Sequence, residues 1–512
     1  MLLTASEFYA QQAISCDLLT LSKLTFNKSP TLKTGQLRIK TAEGNLQVQR
    51  STFDYQLFSR ASLSKNTLHT FDADPRNEFV GSSIKTNTTE ISLGIERTFR
   101  TGQLASISMN YGNVFDNFPF NSFNQNVGAG IADQTVATTF SLTQPLLKGR
   151  GSKIVTALEK AATLGVESNE KNYDFANSLE VLQMGIAYWN YVTAYKSFGV
   201  FEENENRVRN VLRITGELVK ADKKPAGDLI QIQADLANQE RQTQSALQNL
   251  HNARINLGRV IGIDEQESLL LGVPKNDFPS IAASRIDDTT TIDFMKTLAK
   301  ENRRDLRSFE KVEEALQLQV ALAKNNLTPQ LDLTGFASYG GMYMGNRINN
   351  ALSSLGQREG RNYEVGLRLN FSFPLNNNLA KGSFLRDKTA LSEQQVLLDN
   401  LQRNVDMDVD IALNNLKNSV GILEKAKETL GYYKDVFDNE QLKFQNGLTT
   451  LLNLILFQER LTFAQLEYLN AQQQFAVAII ELRHQTGTLI ATGSKDKFYE
   501  ISEQAYYVVP GL

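Results

Sequence analysis

A long internal repeat limits what this 512-residue chain can fold into. The stretch Asp228–Gly262 recurs as Asn453–Gly487, 225 residues later, and both copies close on a leucine followed five residues on by a glycine. Upstream sequence recurs as well, with Leu57 aligned to Leu331. Repetition on this scale predicts that the same arrangement of helices and strands occurs twice in the chain. We assign residues 1–262 and 291–487 to the two repeats, 263–290 to a linker between them and 488–512 to a tail.

The recurring stretch predicts a supercoiled helix in each repeat. Apolar residues alternate at spacings of three and four for about five heptads, a pattern that favours packing against other helices. The positions in the first copy are Leu229, Ile232, Leu236, Gln239, Thr243, Ala246, Leu250, Ala253, Leu257 and Val260. Those in the second copy are Leu454, Phe457, Leu461, Ala464, Tyr468, Ala471, Phe475, Ala478, Leu482 and Gln485.

A proline-free, helix-forming stretch precedes each heptad helix, over residues 153–220 and 384–444. Pro225 and Gly227 follow the first stretch and Gly447 follows the second, and these residue types commonly end helices. Each repeat therefore predicts a long antiparallel helical hairpin whose arms are about 90 Å long if fully helical. The two hairpins span residues 148–262 and 378–487.

Strands are predicted before each helical hairpin. In the second repeat, the pair lies within residues 329–374, and its later strand alternates without a break over residues 363–373. The apolar face of that strand consists of Tyr363, Val365, Leu367, Leu369, Phe371 and Phe373. Eleven alternating residues have the length and pattern of a strand that spans a membrane in a β-barrel. Residues 56–64 and 136–146 are the counterparts in the first repeat.

The first repeat holds extra sequence between its two strands, with a further hairpin predicted within residues 88–112. The residues on both sides of Arg100-Thr101-Gly102 alternate in polarity, as strand residues do. Two interpretations remain open at this point, an extracellular extension or two added barrel strands, and we favour the extension.

Four strands per chain cannot close a barrel, and open strand edges are not tolerated in lipid. Identical copies must therefore supply the remaining strands, and three copies would give twelve, an even number as bacterial barrels have. Glu364, Arg368 and Asn370 would then face a wet lumen. The predicted fold class is α+β and mostly helical, with coiled-coil helices in an α-barrel and four strands per chain in a twelve-stranded transmembrane β-barrel.

Composition argues against several other functions. The formal net charge is −3 and the isoelectric point is about 5.9, so no basic surface is expected for a nucleic acid. Three scattered histidines and one cysteine make no metal-binding pattern. We find no phosphate-binding loop and no spacing typical of a catalytic nucleophile. We therefore expect neither a cofactor nor an enzyme.

Two further stretches carry a resemblance to a known family. They are Leu-Thr-Gln-Pro-Leu-Leu-Lys-Gly at residues 142–149 and Phe-Gln-Asn-Gly-Leu-Thr-Thr at residues 444–450. With the repeat order, they make the chain similar to the TolC-like outer-membrane efflux protein family from about residue 19 to residue 487. The resemblance implies a homotrimeric, passive duct in outer-membrane lipid, with its helices in the periplasm, serving tripartite efflux or type I secretion. It also implies two partners, a periplasmic adaptor and an inner-membrane pump.

The resemblance also implies site residues at the two hairpin tips. Those expected to contact the adaptor are Gly447, Leu448, Thr449, Thr450, Ala226 and Gly227. Those expected to form the pore gate are Asp228, Asn453 and Phe444. The chain departs from the family pattern in having Asn453 at an acidic position, Phe444 at a tyrosine position and Asp222 at a glycine position. A structural interpretation remains open, with Asp228 as a helix N-cap and Asn453 as a solvated helix residue.

An alternative function of a different class is a periplasmic coiled-coil scaffold without channel activity. It accounts for the heptads but leaves the alternating strands unexplained.

Overall fold

The computed structural model describes residues 14–117, 132–281, 292–345, 348–356, 361–492 and 499–510. The helices are α1 (Leu18–Lys28), α2 (Pro30–Arg50), α3 (Asn77–Val80), α4 (Ser152–Val155), α5 (Ala157–Lys220), α6 (Ala226–Ile261), α7 (Glu265–Leu269), α8 (Ile292–Asn302), α9 (Arg304–Asn325), α10 (Ile348–Ser353), α11 (Asn378–Gln445) and α12 (Leu451–Gln485). The strands are β1 (Gln56–His69), β2 (Ser83–Thr98), β3 (Leu104–Asp116), β4 (Asp133–Pro145), β5 (Gln330–Met344), β6 (Arg361–Ser372), β7 (Ala491–Thr492) and β8 (Tyr499–Glu500).

The chain forms two compact units, and each draws on both predicted repeats. The sheet unit comprises Thr41–Val166 and Lys311–Gln395, and the helical unit comprises Met1–Lys40, Glu167–Glu310 and Val396–Leu512. Helices α5 and α11 each begin in the sheet unit and end in the helical unit. The two repeats therefore follow one another in sequence, whereas each compact unit combines a part of both.

Six antiparallel strands form one sheet in the order β1-β2-β3-β4-β5-β6. The expected four strands per chain are therefore wrong for this sheet, because the hairpin that we favoured as an extension adds two strands to it. The predicted hairpin consists of β2 and β3, which lie between β1 and β4. Its turn lies at the end of the sheet where the helices begin, because Arg100 donates to Glu159 of α5 at 2.8 Å and 2.9 Å. Sequence alternation is local and identifies strands, but it does not say which strands pair.

All six strands share one apolar face. The register pairs Leu57 with Ile95, Ile95 with Ile107 and Ile107 with Phe140, and it pairs Ala337 with Val365 at the far side of the sheet. Because alternate strand residues point to opposite faces, these side chains lie on the same side. Large apolar residues on this face that are exposed in the single chain are Leu57, Leu63, Ile91, Leu93, Ile95, Ile107, Phe140, Leu142, Tyr339, Tyr363, Val365, Leu367, Leu369 and Phe371.

The opposite face of the sheet is polar, and hydrogen bonds between side chains cross it from strand to strand. Ser62 donates to Glu90 at 3.2 Å between β1 and β2, and Ser92 donates to Asn110 at 2.7 Å between β2 and β3. The hydroxyl pair Ser106–Ser141 joins β3 to β4, and the pairs Thr139–Ser338 and Thr143–Thr334 join β4 to β5, at 2.8–3.0 Å. The predicted alternation of apolar and polar side chains between the two faces is therefore confirmed in the sheet.

The predicted heptad stripes are largely buried in the helical unit. In α6 the buried stripe residues are Ile232, Gln239, Thr243, Ala246, Leu250 and Leu257, and in α12 they are Leu454, Leu461, Ala464, Ala471, Phe475, Ala478 and Leu482. Each helix ends at a left-handed glycine, Gly262 with φ of 89° and Gly487 with φ of 70°. Gly262 lies against Lys28 and Gly487 against Asn302, so both meet the break between two leading helices, α1/α2 or α8/α9. The repeated glycine thus has the same structural role in both copies.

A buried polar network joins three helices of the helical unit. Asn204 of α5 is 2% exposed. It donates to the side-chain oxygen of Gln239 in α6 and accepts from the side-chain nitrogen of Gln458 in α12, at 2.8 Å in both cases. Gln239 also donates to Asp235 at 3.1 Å. Because each buried amide group is paired, the network favours one register of the three helices.

No helix in the described ranges has the length and apolar character needed to cross a bilayer.

We predict that Asn204→Ala destabilises the helical unit by about 1–3 kcal/mol, because the Gln239 side-chain oxygen loses its Asn204 donor and the Gln458 side-chain nitrogen loses its Asn204 acceptor. Chemical denaturation in detergent, followed by helical circular dichroism, measures the change. Asn238→Ala is the matched control, since Asn238 is half-buried on α6 and accepts from Arg241 in an exposed hydrogen bond. Equal midpoints for the two variants would contradict a stabilising role for the network.

Candidate functional site at the helical tips

The second tip, residues 443–453, is a tight helix–turn–helix. The amide of Leu448 donates to the carbonyl of Lys443 at 2.8 Å, and the amide of Gly447 donates to that of Phe444 at 3.0 Å. This pair of bonds is the Schellman arrangement, which requires a left-handed residue after the helix. Gly447 has φ of 74°, so glycine is the residue best suited to the position. Thr450 then caps α12 by accepting from the amide of Asn453 at 3.3 Å.

The first tip, residues 218–228, has the same backbone with different side chains. Lys223 donates to the carbonyl of Leu218 at 2.9 Å, and Asp222 donates to that of Val219 at 3.1 Å. The left-handed residue is Asp222, with φ of 53°, and it lies 225 residues before Gly447. An aspartate there has a Cβ that crowds the backbone, whereas a glycine has none. The two tips therefore share the same pair of turn hydrogen bonds, but the turn of the first tip is strained.

Lys224 connects the two tips within one chain. Its Nζ donates to the carbonyl of Thr449 at 3.2 Å and lies 5.1 Å from the centre of the Phe444 ring. Both contacts are partly buried, so the ammonium group exchanges water for a carbonyl dipole and an aromatic face. We call this contact the Lys224 bridge.

Apolar packing lies beneath the bridge. Phe444 is 1% exposed and packs with neighbours from both hairpins: Val208, Val211, Ile232, Phe437, Leu451, Leu454 and Leu461. A ring buried in this way does not face water in the present conformation, so any effect of Phe444 on a pore would act through packing. The tip surface, by contrast, exposes Ile230, Leu448 and Leu452.

The two polar residues expected at the gate lie at matching positions in the first turns of α6 and α12. Helix α6 begins at Ala226 with Pro225 as its N-cap, so Asp228 is not the N-cap. Its carboxylate nevertheless lies near the positive end of the helix dipole, where a negative charge is favoured. Asn453 is exposed, and its side chain donates to the Thr449 hydroxyl at 3.4 Å. Ala226 and Gly227 are exposed beside Asp228.

His484 is a buried titratable residue that lies outside the two tips. Burial lowers the pKa of His484 to about 4, with a further contribution from Arg303, so this imidazole is neutral near pH 7. The Ser178 hydroxyl lies 2.9 Å from its Nδ1, and the Phe175 ring packs beside it. Within the described parts of the chain, no three His, Cys, Asp or Glu side chains lie together in a way that would hold a metal ion.

A family model matches part of this sequence. The model described as outer membrane efflux protein matches residues 297–488, a segment that contains the second tip and all of α12. The chain is also 24% identical to the outer membrane protein TolC of Vibrio cholerae serotype O1 over 170 residues. These residues make up 33% of this chain and 37% of TolC. The match thus spans little more than a third of that relative.

Solved structures show a likeness in fold over most of the chain. The outer-membrane channel OprN gives a TM-score of 0.66 at 14% identity, covering 92% of this chain and 90% of OprN. The outer membrane channel CmeC of Campylobacter jejuni gives 0.62 at 16% identity, covering 92% of this chain and 85% of CmeC. At such low identity these likenesses show the fold alone, which is that of TolC-like channels.

The sequence does not identify Lys224 as a tip residue, and it indicates Asp222 only as a departure from the family glycine. Lys224 lies in a predicted turn, and its contact with the other hairpin depends on how the two hairpins pack, which no local pattern records. The repeat offset to Gly447 was the available signal that Asp222 adopts a left-handed conformation.

We predict opposite effects of substitutions at the two left-handed positions. Asp222→Gly removes strain worth about 1 kcal/mol, and Gly447→Val introduces at least about as much. Hydrogen exchange of tip peptides should therefore slow about fivefold in the first tip for Asp222→Gly. It should accelerate in the second tip for Gly447→Val. Gly227→Ala is the control, because Gly227 is helical and has open space around it. Unchanged exchange in both variants would show that neither position governs tip stability.

Proposed function

We propose that this protein is an outer-membrane exit duct of a tripartite efflux or type I secretion system. The observation that carries the proposal is the apolar face shared by all six strands, with large side chains such as Leu367 78% exposed in the single chain. A contiguous exposed apolar surface of this kind marks contact with lipid or with another protein. The polar opposite face, crossed by hydrogen bonds, suits a water-filled lumen.

The two sheet edges support assembly from identical copies. In the described sheet, β1 and β6 each pair on one side only. Backbone groups on an open edge have no water to bond in a bilayer, so the edges must be paired. We propose a homotrimer, in which β6 of one copy pairs with β1 of the next around a closed barrel.

The helical tips support docking of a periplasmic adaptor that is coupled to an inner-membrane pump. Exposed Leu448, Leu452 and Ile230 offer an apolar contact surface at the tips. Gly447, Thr449, Thr450, Ala226 and Gly227 lie beside them. In this proposal the pump supplies the energy, and the duct is passive and catalyses no reaction.

The gate follows from the same tips. We propose that the closed state is held by the Lys224 bridge and by packing around Phe444, and that Asp228 and Asn453 face the constriction. Opening would then move the helices from one compact packing to another, as in other two-state transitions.

The mass of the detergent-extracted full-length chain, together with its conductance in planar bilayers, tests the function. We expect a trimer that requires detergent and forms discrete channels, because the apolar face and open edges need lipid and partner strands. A soluble protein without detergent and without channel activity would instead identify a periplasmic scaffold and overturn the proposal.

We predict that Lys224→Met raises single-channel conductance severalfold, because it removes the tie between the tips while keeping a side chain of similar length. Lys223→Met is the matched control, since Lys223 is exposed and equally close to the turn. Conductance that rises equally in both variants would point to a general charge effect and would contradict the bridge.

A further inference from the structure

We propose that each copy of this chain contributes six strands to the membrane barrel, so that the trimer closes an eighteen-stranded pore rather than a twelve-stranded one. The inference rests on the proposed function, because it assumes the trimeric duct. It concerns the hairpin formed by β2 and β3, which we call the inserted hairpin.

Backbone pairing places the inserted hairpin inside the sheet. β1 pairs with β2 from Gln56↔Glu96 to His69↔Ser83 without a gap. β3 pairs with β4 from Leu104↔Thr143 to Val114↔Asp133. If β2 and β3 left the sheet, both ladders would be lost, and β1 and β4 would have to pair with each other instead. The hairpin is therefore an integral part of the sheet.

The inserted hairpin also continues both faces of its neighbours. Ile91, Leu93 and Ile95 of β2 pair with Tyr111, Met109 and Ile107 of β3 on the apolar side. On the polar side, Ser92 bonds to Asn110, and Glu90 accepts from Ser62 of β1. An extension standing in water would have no need of a continuous apolar face, whereas lipid-facing strands require one.

An even number of strands keeps the sheet compatible with closure. Because six antiparallel strands alternate in direction, β1 and β6 run opposite to one another. The β6 edge of one copy can therefore pair antiparallel with the β1 edge of a second copy, as a barrel of identical sheets requires. The occupant of each free edge is thus a second copy of this chain.

Strand number sets the width of the pore. For a strand spacing of about 4.8 Å and a tilt of about 40°, twelve strands give a backbone diameter of about 24 Å and eighteen give about 36 Å. Side chains take about 5 Å on each side, which leaves lumens of about 14 Å and about 26 Å. The narrower lumen admits one α-helix of about 10–12 Å, and the wider one admits two side by side. The barrel would therefore not restrict cargo as bulky as a helical hairpin.

Electron cryo-microscopy of the detergent-extracted full-length chain tests the strand number directly. We expect three copies, eighteen strands and a barrel about 36 Å across at the backbone. Three copies around a twelve-stranded barrel, with the inserted hairpins outside it, would overturn this inference and leave the exit duct intact. Two copies sharing twelve strands would also overturn it. A soluble monomer would overturn the proposed function itself.

A deletion variant provides a matched comparison. Removing residues 70–116 joins β1 to β4 through residues 117–132, and these two strands already run in opposite directions. The variant should form a twelve-stranded barrel about two thirds as wide as the original. A barrel of unchanged width would show that the inserted hairpin never belonged to it.

Two single substitutions test the hairpin without relying on that deletion. Leu93→Arg places a charge on the apolar face of β2, and Ser92→Arg places the same charge on the polar face one residue away. If β2 spans lipid, Leu93→Arg should lower the amount of outer-membrane trimer about tenfold or more, and Ser92→Arg should leave it nearly unchanged. Leu367→Arg in β6 is the positive control. Equal tolerance of both β2 variants, with loss only for Leu367→Arg, would overturn the inference.

Discussion

The requirement that every backbone polar group be paired within lipid underlies the rest of this structure. Each chain presents an apolar face across six strands and leaves one side of β1 and of β6 without a strand partner in the described sheet. Such a surface is stable in a bilayer only when its edges are closed by other strands. In a bilayer the two edges of the single chain would need further strands, and the other copies of the proposed trimer would supply them.

The two helical tips share one backbone conformation but differ in their side chains. Both tips form the same pair of terminal hydrogen bonds, and equivalent residues lie 225 positions apart. Gly447 adopts its left-handed conformation without strain, whereas Asp222 does so at a cost. Lys224 and Thr449 are also equivalent by this offset, yet they contact each other, side chain to carbonyl. A contact between equivalent positions of two repeats couples the hairpins, because movement of either one breaks it.

Local patterns in the sequence predicted the elements of this fold well, and pairing between distant elements less well. The heptad stripes identified α6 and α12 because a helix that buries one face repeats its apolar residues at a fixed period. Alternation identified β6 and the inserted hairpin because a strand with one apolar face has an apolar residue at every second position. The place of that hairpin in the sheet depends on β1 and β4, which lie on either side of it in sequence, so its own residues did not reveal it. The burial of Phe444 likewise depends on Ile232 and Leu454, which come from two different hairpins.

Strain at the first tip is understandable if the tip must move. A gate that opens in response to a small free energy of binding needs segments whose closed packing is only slightly favoured. Such segments come from the less stable parts of a protein. Asp222 lowers the stability of the first turn, and α6 begins without a side-chain cap, whereas α12 has Thr450. The first tip is therefore the weaker of the two, and the Lys224 bridge ties it to the stronger one. An adaptor that displaced the Lys224 ammonium from the Thr449 carbonyl would free the weaker tip first, because that tip has the less favourable turn of its own.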